Sequence, residues 1–173
     1  MAIVVEDGSV VAGANSYASV AQATAYLTAR NRAAAWIAKT EAEQEAALVQ
    51  ATDYLTQQYR GRWKGLRYSE SQSLDWPRAE VTVPGYPVGW AIGVDEVPGE
   101  VNAATILLAE RAIAGTLLPD TAPGAAVRRQ KVGSLEVEYD NTTTNTEPTY
   151  NEVYRSLRHL LTGGTRSAVL ERA

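Results

Sequence analysis

The 173 residues carry 16 Lys and Arg against 20 Asp and Glu, a formal net charge of −4, with one histidine and no cysteine. Without cysteine there are no disulfides, thiolate nucleophiles or zinc–thiolate sites, and one histidine cannot build a His-based metal cluster, which leaves only carboxylate sites for hard cations. An acidic chain with a pI of about 5.1 is not, as a whole, a polyanion binder, and its length suits one domain, or a domain with an arm, that buries roughly two thirds of its unfolded surface.

The aromatic content is skewed: nine Tyr and four Trp, with no Phe. Tyr and Trp keep a polar handle, which suits partly buried sites and interfaces as well as a small core with wet edges. The opening MAIVVEDGSVVAGAN shows no basic region ahead of an apolar run, so no secretion signal is expected and synthesis is expected in the cytoplasm. It reads as a short extended segment around Val4 and Val5 followed by a Gly-rich turn. Ser19 and Gln22 stand at capping-box spacing, with Ala23, Tyr26 and Leu27 at helical intervals behind them, which predicts a helix from about Val20 to Ala29. Residues 33–38, with Trp36 and Ile37, read as one helical turn plugging the end of a bundle.

Thr40 and Glu43 repeat the capping-box spacing, and Glu41, Glu43 and Glu45 crowd the first turns, where the helix dipole favours negative charge. A helix from Glu41 to Gln58 follows. Its apolar stripe is Ala47, Leu48, Ala51, Leu55 and Tyr59, with Gln44, Gln50, Asp53 and Gln57 facing outward. The next stretch, YRGRWKGLRY (59–68), is the one locally basic region, its cations alternating with aromatics. Such a segment can bind single strands, because bases stack on aromatic faces while guanidinium groups meet phosphates. It can equally be structural, since Arg stacks on Trp and a basic loop suits an acidic neighbour. With no RNP motif and no helix-turn-helix signal in an acidic chain, the residues favour the structural or protein-contact use.

In Leu74-Asp75-Trp76-Pro77-Arg78 the proline holds Trp76 extended against the bundle, with Asp75 and Arg78 placed to bridge the turn. Residues 79–97 are rich in Gly, Pro and Val, which predicts a long loop with a small hairpin and Trp90 near its tip. From Pro98 to Leu117 the apolar residues Val101, Ala104, Leu107, Leu108, Ala109, Ile113 and Ala114 leave only a thin polar strip through Asn102, Glu110 and Arg111. A helix apolar on so much of its surface is central to a bundle. Glu100 near its start, with Gly115 and Pro119 beyond its end, marks the limits, and it is too short and too charged to span a membrane.

Residues 127–139 read as a two-stranded ribbon around Gly133-Ser134, basic on one strand and acidic on the other. DNTTTNTEP (140–148) reads as a flexible tether. Thr149 and Glu152 supply a third capping-box match for a helix from Tyr150 to Thr162, with Val153, Tyr154, Leu157, Leu160 and Leu161 as its stripe and Gly163-Gly164 as its stop. His159 reads as a residue on that helix's solvated face. The tail to Ala173 leaves Val169 and Leu170 among charges, as in an arm that orders on a partner. The expected organisation is therefore a helical core over 1–139, a tether over 140–148, and a C-terminal helix and tail over 149–173. The fold class is mainly α, a small bundle around a central apolar helix with a long loop and a small β-ribbon.

Asp53, Asp75, Glu80, Asp95 and Glu96 could supply paired carboxylates, but no spacing singles out a pair. No catalytic, cofactor-binding or metal-ligating residue is expected, and no enzyme. For contact with subunits or partners the residues expected are Tyr59, Arg62, Trp63, Trp90, Leu157, Leu161, Val169 and Leu170. For the nucleic-acid alternative they are Arg60, Arg62, Trp63, Lys64, Arg67 and Tyr68.

The stretches ANSYASVAQATAYL, ATDYL with YRGRWKG, LDWPR, VPGEVNAATILLAERAIAG and KVGSLEVEYD together resemble the phage family labelled DnaT-like single-stranded-DNA-binding, over about Asn15 to Gly163. Proteins of this kind resemble the head-tail connectors, or adaptors, of long-tailed phages. That resemblance implies a helical bundle with a β-ribbon, assembled as a ring, a dodecamer, in the neck of the virion. The implied partners are the portal protein, a tail-side neck or terminator protein, and duplex DNA passing through without specific binding. It implies no membrane, no cofactor and no catalytic residue. In that setting an acidic lumen would repel phosphates, and the C-terminal helix with its tail would dock on the portal. Removal of everything after Pro148 would then leave thermal unfolding mostly intact.

Overall fold

The computed structural model describes residues 2–85, 88–118, 129–132, 135–138 and 150–163. The chain forms two compact units, one made of Met1–Leu117 with Tyr150–Ala173 and the other of Leu118–Thr149. The first holds the helices α1 (Val20–Thr28), α2 (Ala34–Ile37), α3 (Glu41–Tyr59), α4 (Gly99–Ala114) and α5 (Asn151–Leu157), the last running into a 3₁₀ turn at Arg158–Leu160. Between α3 and α4 lie four two-residue strands, β1 (Leu66–Arg67) paired antiparallel with β2 (Arg78–Ala79), and β3 (Thr82–Val83) with β4 (Trp90–Ala91). The fold is mainly α with a little β, as expected.

The second unit carries the antiparallel hairpin of β5 (Arg129–Val132) and β6 (Leu135–Glu138). Its register sets Arg129 opposite Glu138 and Lys131 opposite Glu136, so the positions of opposite charge face across the ladder. The tether at 140–148, Thr149, and the tail with Val169 and Leu170 lie outside the described residues.

Helix α4 is the centre of the first unit, touching α1, α2, α3 and α5. Val101, Ala104, Thr105, Ile106, Leu107, Leu108 and Ala109 are all buried, while Ile113 is half-buried and Ala114 exposed, so the apolar belt thins over the last turn. Thr105 is accommodated because its hydroxyl donates to the Val101 carbonyl at 2.9 Å. Asn102, on the polar strip, donates to the Tyr17 carbonyl at 2.8 Å and ties the N-terminal segment to the helix.

Both early capping boxes form. Ser19 and Gln22 exchange bonds at the start of α1, and Thr40 and Glu43 at the start of α3. The Thr40 N–H, the Thr40 hydroxyl and Lys39 all bond the Glu43 carboxylate and hold its pKa down to about 2. A carboxylate depressed in the folded state contributes stability that is complete above its ordinary value near 4.5 and is lost as pH falls toward 2. Thr40→Ala should lower the melting midpoint by about 3 °C at pH 7. It should also flatten the decline of stability between pH 4.5 and 2, a comparison that parallel thermal melts provide; an unchanged decline would show that the box is not its source.

Two positions depart from the sequence reading. Gln44 is buried rather than outward, because its side-chain amide donates to the Trp36 carbonyl at 2.8 Å and joins α3 to α2. Trp36 plugs the bundle as expected, its indole N–H meeting the Thr24 hydroxyl at 2.9 Å, but Ile37 points out at 62% exposure because a four-residue helix turns only one face inward.

Thr149, the cap residue of the third capping-box match, lies outside the described residues, so the structure describes only its partner Glu152. Tyr150 stands at the N-cap of α5 without a side-chain cap bond, and Glu152 accepts from Arg111 at 2.7 Å and from Arg32 at 2.9 Å. Arg32 also holds Glu110 of α4, so a four-membered ionic cluster fastens α5 to the rest of the unit. The helix is also shorter than predicted, ending at Leu157. His159 does not simply face solvent, since its Nε2 lies 3.2 Å from Glu100 in the first turn of α4.

The N-terminal segment is closed by a carboxylate that sequence patterning passed over. Glu6 is buried and accepts from the backbone N–H groups of Gly8, Val10 and Val11 at 2.9, 3.0 and 2.9 Å. Gly8, at φ +109°, is required where it sits, because a Cβ there would fall 2.0 Å from the Asp95 carbonyl oxygen.

Candidate nucleic-acid interface

The basic-aromatic segment begins at the C-terminal end of α3 and divides at once into an inner and an outer set. Tyr59 and Trp63 turn inward, with 6% and 4% of their surface exposed. Their rings lie 5.7 Å apart, and Trp63 meets the fully buried Trp76 edge to face, also at 5.7 Å. Residues 160–162, just after α5, cover this cluster through one antiparallel bridge. Trp63 bridges Leu161, the Lys64 N–H donates to the Leu160 carbonyl at 2.9 Å, and the Thr162 N–H donates to the Arg62 carbonyl at 2.6 Å.

Arg78 pins the loop from below. It is buried, and its guanidinium donates to the carbonyls of Lys64, Gly65 and Asp75 at 2.7, 2.7 and 3.2 Å. Burial pulls its pKa below the usual guanidinium value, and the nearby Asp75 opposes that. The expected Asp75–Arg78 bridge is therefore made through the Asp75 backbone. Its carboxylate is paired with Arg60 at 2.9 Å, because Arg78 is already occupied by three carbonyl oxygens. The backbone N–H groups of Asp75 and Trp76 both donate to the buried Tyr17 hydroxyl, at 2.9 and 3.1 Å, and burial pushes that phenol's pKa up.

What remains outside is a surface of short ribbons. Leu66 and Tyr68, two residues apart and so on one side of an extended strand, are 64% and 52% exposed, and Val88 and Trp90 on the second hairpin are 71% and 63% exposed. Lys64 joins the two ribbons, its ammonium donating to the Thr82 carbonyl of β3 at 3.2 Å. The Trp90 ring lies over Gly85, where any Cβ would come within 3.0 Å of it, so the exposed indole is seated rather than loose. Arg62 sits 5.7 Å from the rings of Tyr59 and Tyr154, and Arg67 donates to the Gln72 carbonyl.

Of the residues expected to bind nucleic acid, Arg60, Arg62, Lys64, Arg67 and Tyr68 thus keep surface and Trp63 does not. Of those expected to meet partners, Trp90 and Arg62 are exposed, whereas Tyr59, Trp63, Leu157 and Leu161 pack inside the chain's own core. Trp90 was legible only as a partner contact, and Leu66 and Val88 were not read at all. The alternation at 64, 66 and 68 was the available signal for Leu66.

Elsewhere, Asp53 is exposed on α3, Glu80 is exposed at φ +60°, and Asp95 lies against Gly8 and Gly93. Among the described residues no three acidic or histidine side chains converge as a cation site, and no helix is long and apolar enough to cross a membrane.

A family model with the description "Putative DnaT-like ssDNA binding protein" matches residues 1–173. The chain belongs to that family. No curated protein and no solved structure matches it. For this member of the DnaT-like family, the ribbon surface is where exposed aromatic rings and cations meet.

Proposed function

We propose that the chain binds single-stranded nucleic acid on the ribbon surface, with Tyr68 and Trp90 as stacking faces and Arg60, Arg62, Lys64 and Arg67 as phosphate partners. The exposure of Tyr68 and Trp90 on ribbons that follow the four cations of segment 60–67, joined by the Lys64–Thr82 bond, carries this reading, and the family description supports it. Stacking tolerates any base, and a local cationic strip works in a chain of net negative charge because salt screens the remainder. Fluorescence anisotropy with a labelled oligothymidylate at low salt tests it. Trp90→Ala and Tyr68→Ala should each weaken binding by roughly 5- to 100-fold. Affinity should fall with salt on a log–log slope of about −3 if all four cations engage. A folded chain with no affinity at low salt would end the reading.

A second reading rests on a different observation. The segment's Tyr59 and Trp63 build the core, and the outer surface includes the aliphatic Leu66 and Val88, on which bases do not stack. Aliphatic surface of that kind suits a protein partner. In this reading the chain is a head–tail adaptor of a long-tailed phage, acting without turnover as a ring beneath the portal. Particle images of the chain mixed with portal should then show rings, and a folded chain that never joins portal would retire it.

A further inference from the structure

Asp75 holds one cation of segment 60–67 in a way the others are not held. Arg60, the C-cap of α3, donates its Nε–H to Asp75 Oδ1 at 2.9 Å, with the Arg60 side chain 55% exposed and the Asp75 side chain 1% exposed. The contact has a single point. Asp75 Oδ2 is buried and takes no hydrogen bond among the described residues, so the Nη1 and Nη2 groups of Arg60 are not drawn into a bidentate pair. Lys64 and Arg67 donate to backbone carbonyls, and Arg62 lies near two tyrosine rings. Among the described residues, Arg60 alone of these four cations has an anionic anchor. The anchor is itself tied on both sides: the Asp75 N–H donates to the Tyr17 hydroxyl at 2.9 Å, and the Asp75 carbonyl accepts from Arg78 Nη1 at 3.2 Å.

We infer that Asp75 is a positioning residue for strand binding, holding Arg60 by its Nε–H so that the Nη1–Nη2 edge grips one phosphate of the strand. Leaving one oxygen of a buried carboxylate without a partner is destabilising, so stability alone does not account for a carboxylate at this position. A guanidinium fork matches the paired oxygens of a phosphate. A fork already ordered in the free chain avoids the entropy lost in ordering it on binding. Charge and positioning act here in opposite directions. By charge alone, removing an acidic side chain beside a polyanion site tightens binding, whereas removing the anchor weakens it. The inference rests on the strand-binding reading, and Asp75 acts in it only through Arg60.

A double-mutant cycle on the full chain, read by anisotropy of a labelled oligothymidylate at low salt, tests the inference. Arg60→Ala should weaken binding by about tenfold or more, the loss of a hydrogen-bonded charge contact. Asp75→Ala should weaken it by about three- to tenfold, the ordering cost returned to one long side chain. The double variant should bind no more weakly than Arg60→Ala alone, because Asp75 then has nothing left to position. Circular dichroism checks that each variant is folded. If Asp75→Ala does not fold, Asp75→Asn runs the same cycle: it keeps the shape and a neutral acceptor, and should weaken binding by about two- to threefold. An Asp75 variant that binds as tightly as the wild type, or more tightly, overturns the inference while strand binding stands. So does a loss that persists in full in the Arg60→Ala background, which would mark Asp75 as general scaffolding. A wild type without affinity ends the strand-binding reading and this inference with it.

Discussion

A chain ended at Thr149 is expected to lose its cooperative fold. The missing segment contributes Val153, Leu157, Leu160 and Leu161, none more than 2% exposed. At about 1.5–3 kcal/mol for each buried aliphatic side chain, their combined contribution is comparable to the entire stability of an ordinary domain. Truncation also removes residues 160–162 from over Trp63 and frees Arg32 and Arg111 from Glu152. Thermal circular dichroism and limited proteolysis read the outcome. The milder Leu157→Ala should remain folded with stability reduced by about 2–5 kcal/mol. A truncated chain that melts cooperatively within a few degrees of the full one would refute the role assigned to α5. This reverses the expectation that the C-terminal helix is a detachable arm, because a helix with one fully buried face belongs to the core that buries it. The ionic cluster adds a pH signature. Arg111, then Arg32, hold the Glu152 carboxyl below its ordinary range, so its contribution is complete above that range and is lost on acidification.

Trp63→Ala should cost about 3–5 kcal/mol of stability, the cost of emptying a buried aromatic site. Trp90→Ala should change stability by no more than about 0.5 kcal/mol, as exposed substitutions do. The contrast matters because both residues belong to the aromatic content that suggests single-strand binding. If Trp63→Ala weakens oligonucleotide binding, the loss should track the fraction unfolded, whereas the loss in Trp90→Ala should appear with the protein fully folded. Denaturant unfolding run beside anisotropy separates the two. A Trp63→Ala chain as stable as wild type would contradict the packing of the Tyr59–Trp63–Trp76 cluster.

Short-range features were legible from the residues alone. Capping at Ser19 and Thr40 depends on partners three residues away, the span of α4 on an apolar belt with Gly115 behind it, and the β5–β6 register on alternating charge around a two-residue turn. Family membership was likewise carried by local motifs. Glu152 is held by arginines 41 and 120 residues away in the chain, and Gln44 turned inward because a carbonyl eight residues earlier was available to it. Similarly, nothing local distinguishes Trp63 from Tyr68. Both stand among cations, and only residues 160–162 folding back over one of them make it core and leave the other as surface. Sequence by itself thus determined where helices start and which central helix the bundle surrounds, since those are settled by neighbours within a turn or two. Tertiary structure decided which aromatic rings and charges face outward, because burial depends on segments up to a hundred residues apart, and that choice defines the surface through which this chain would act.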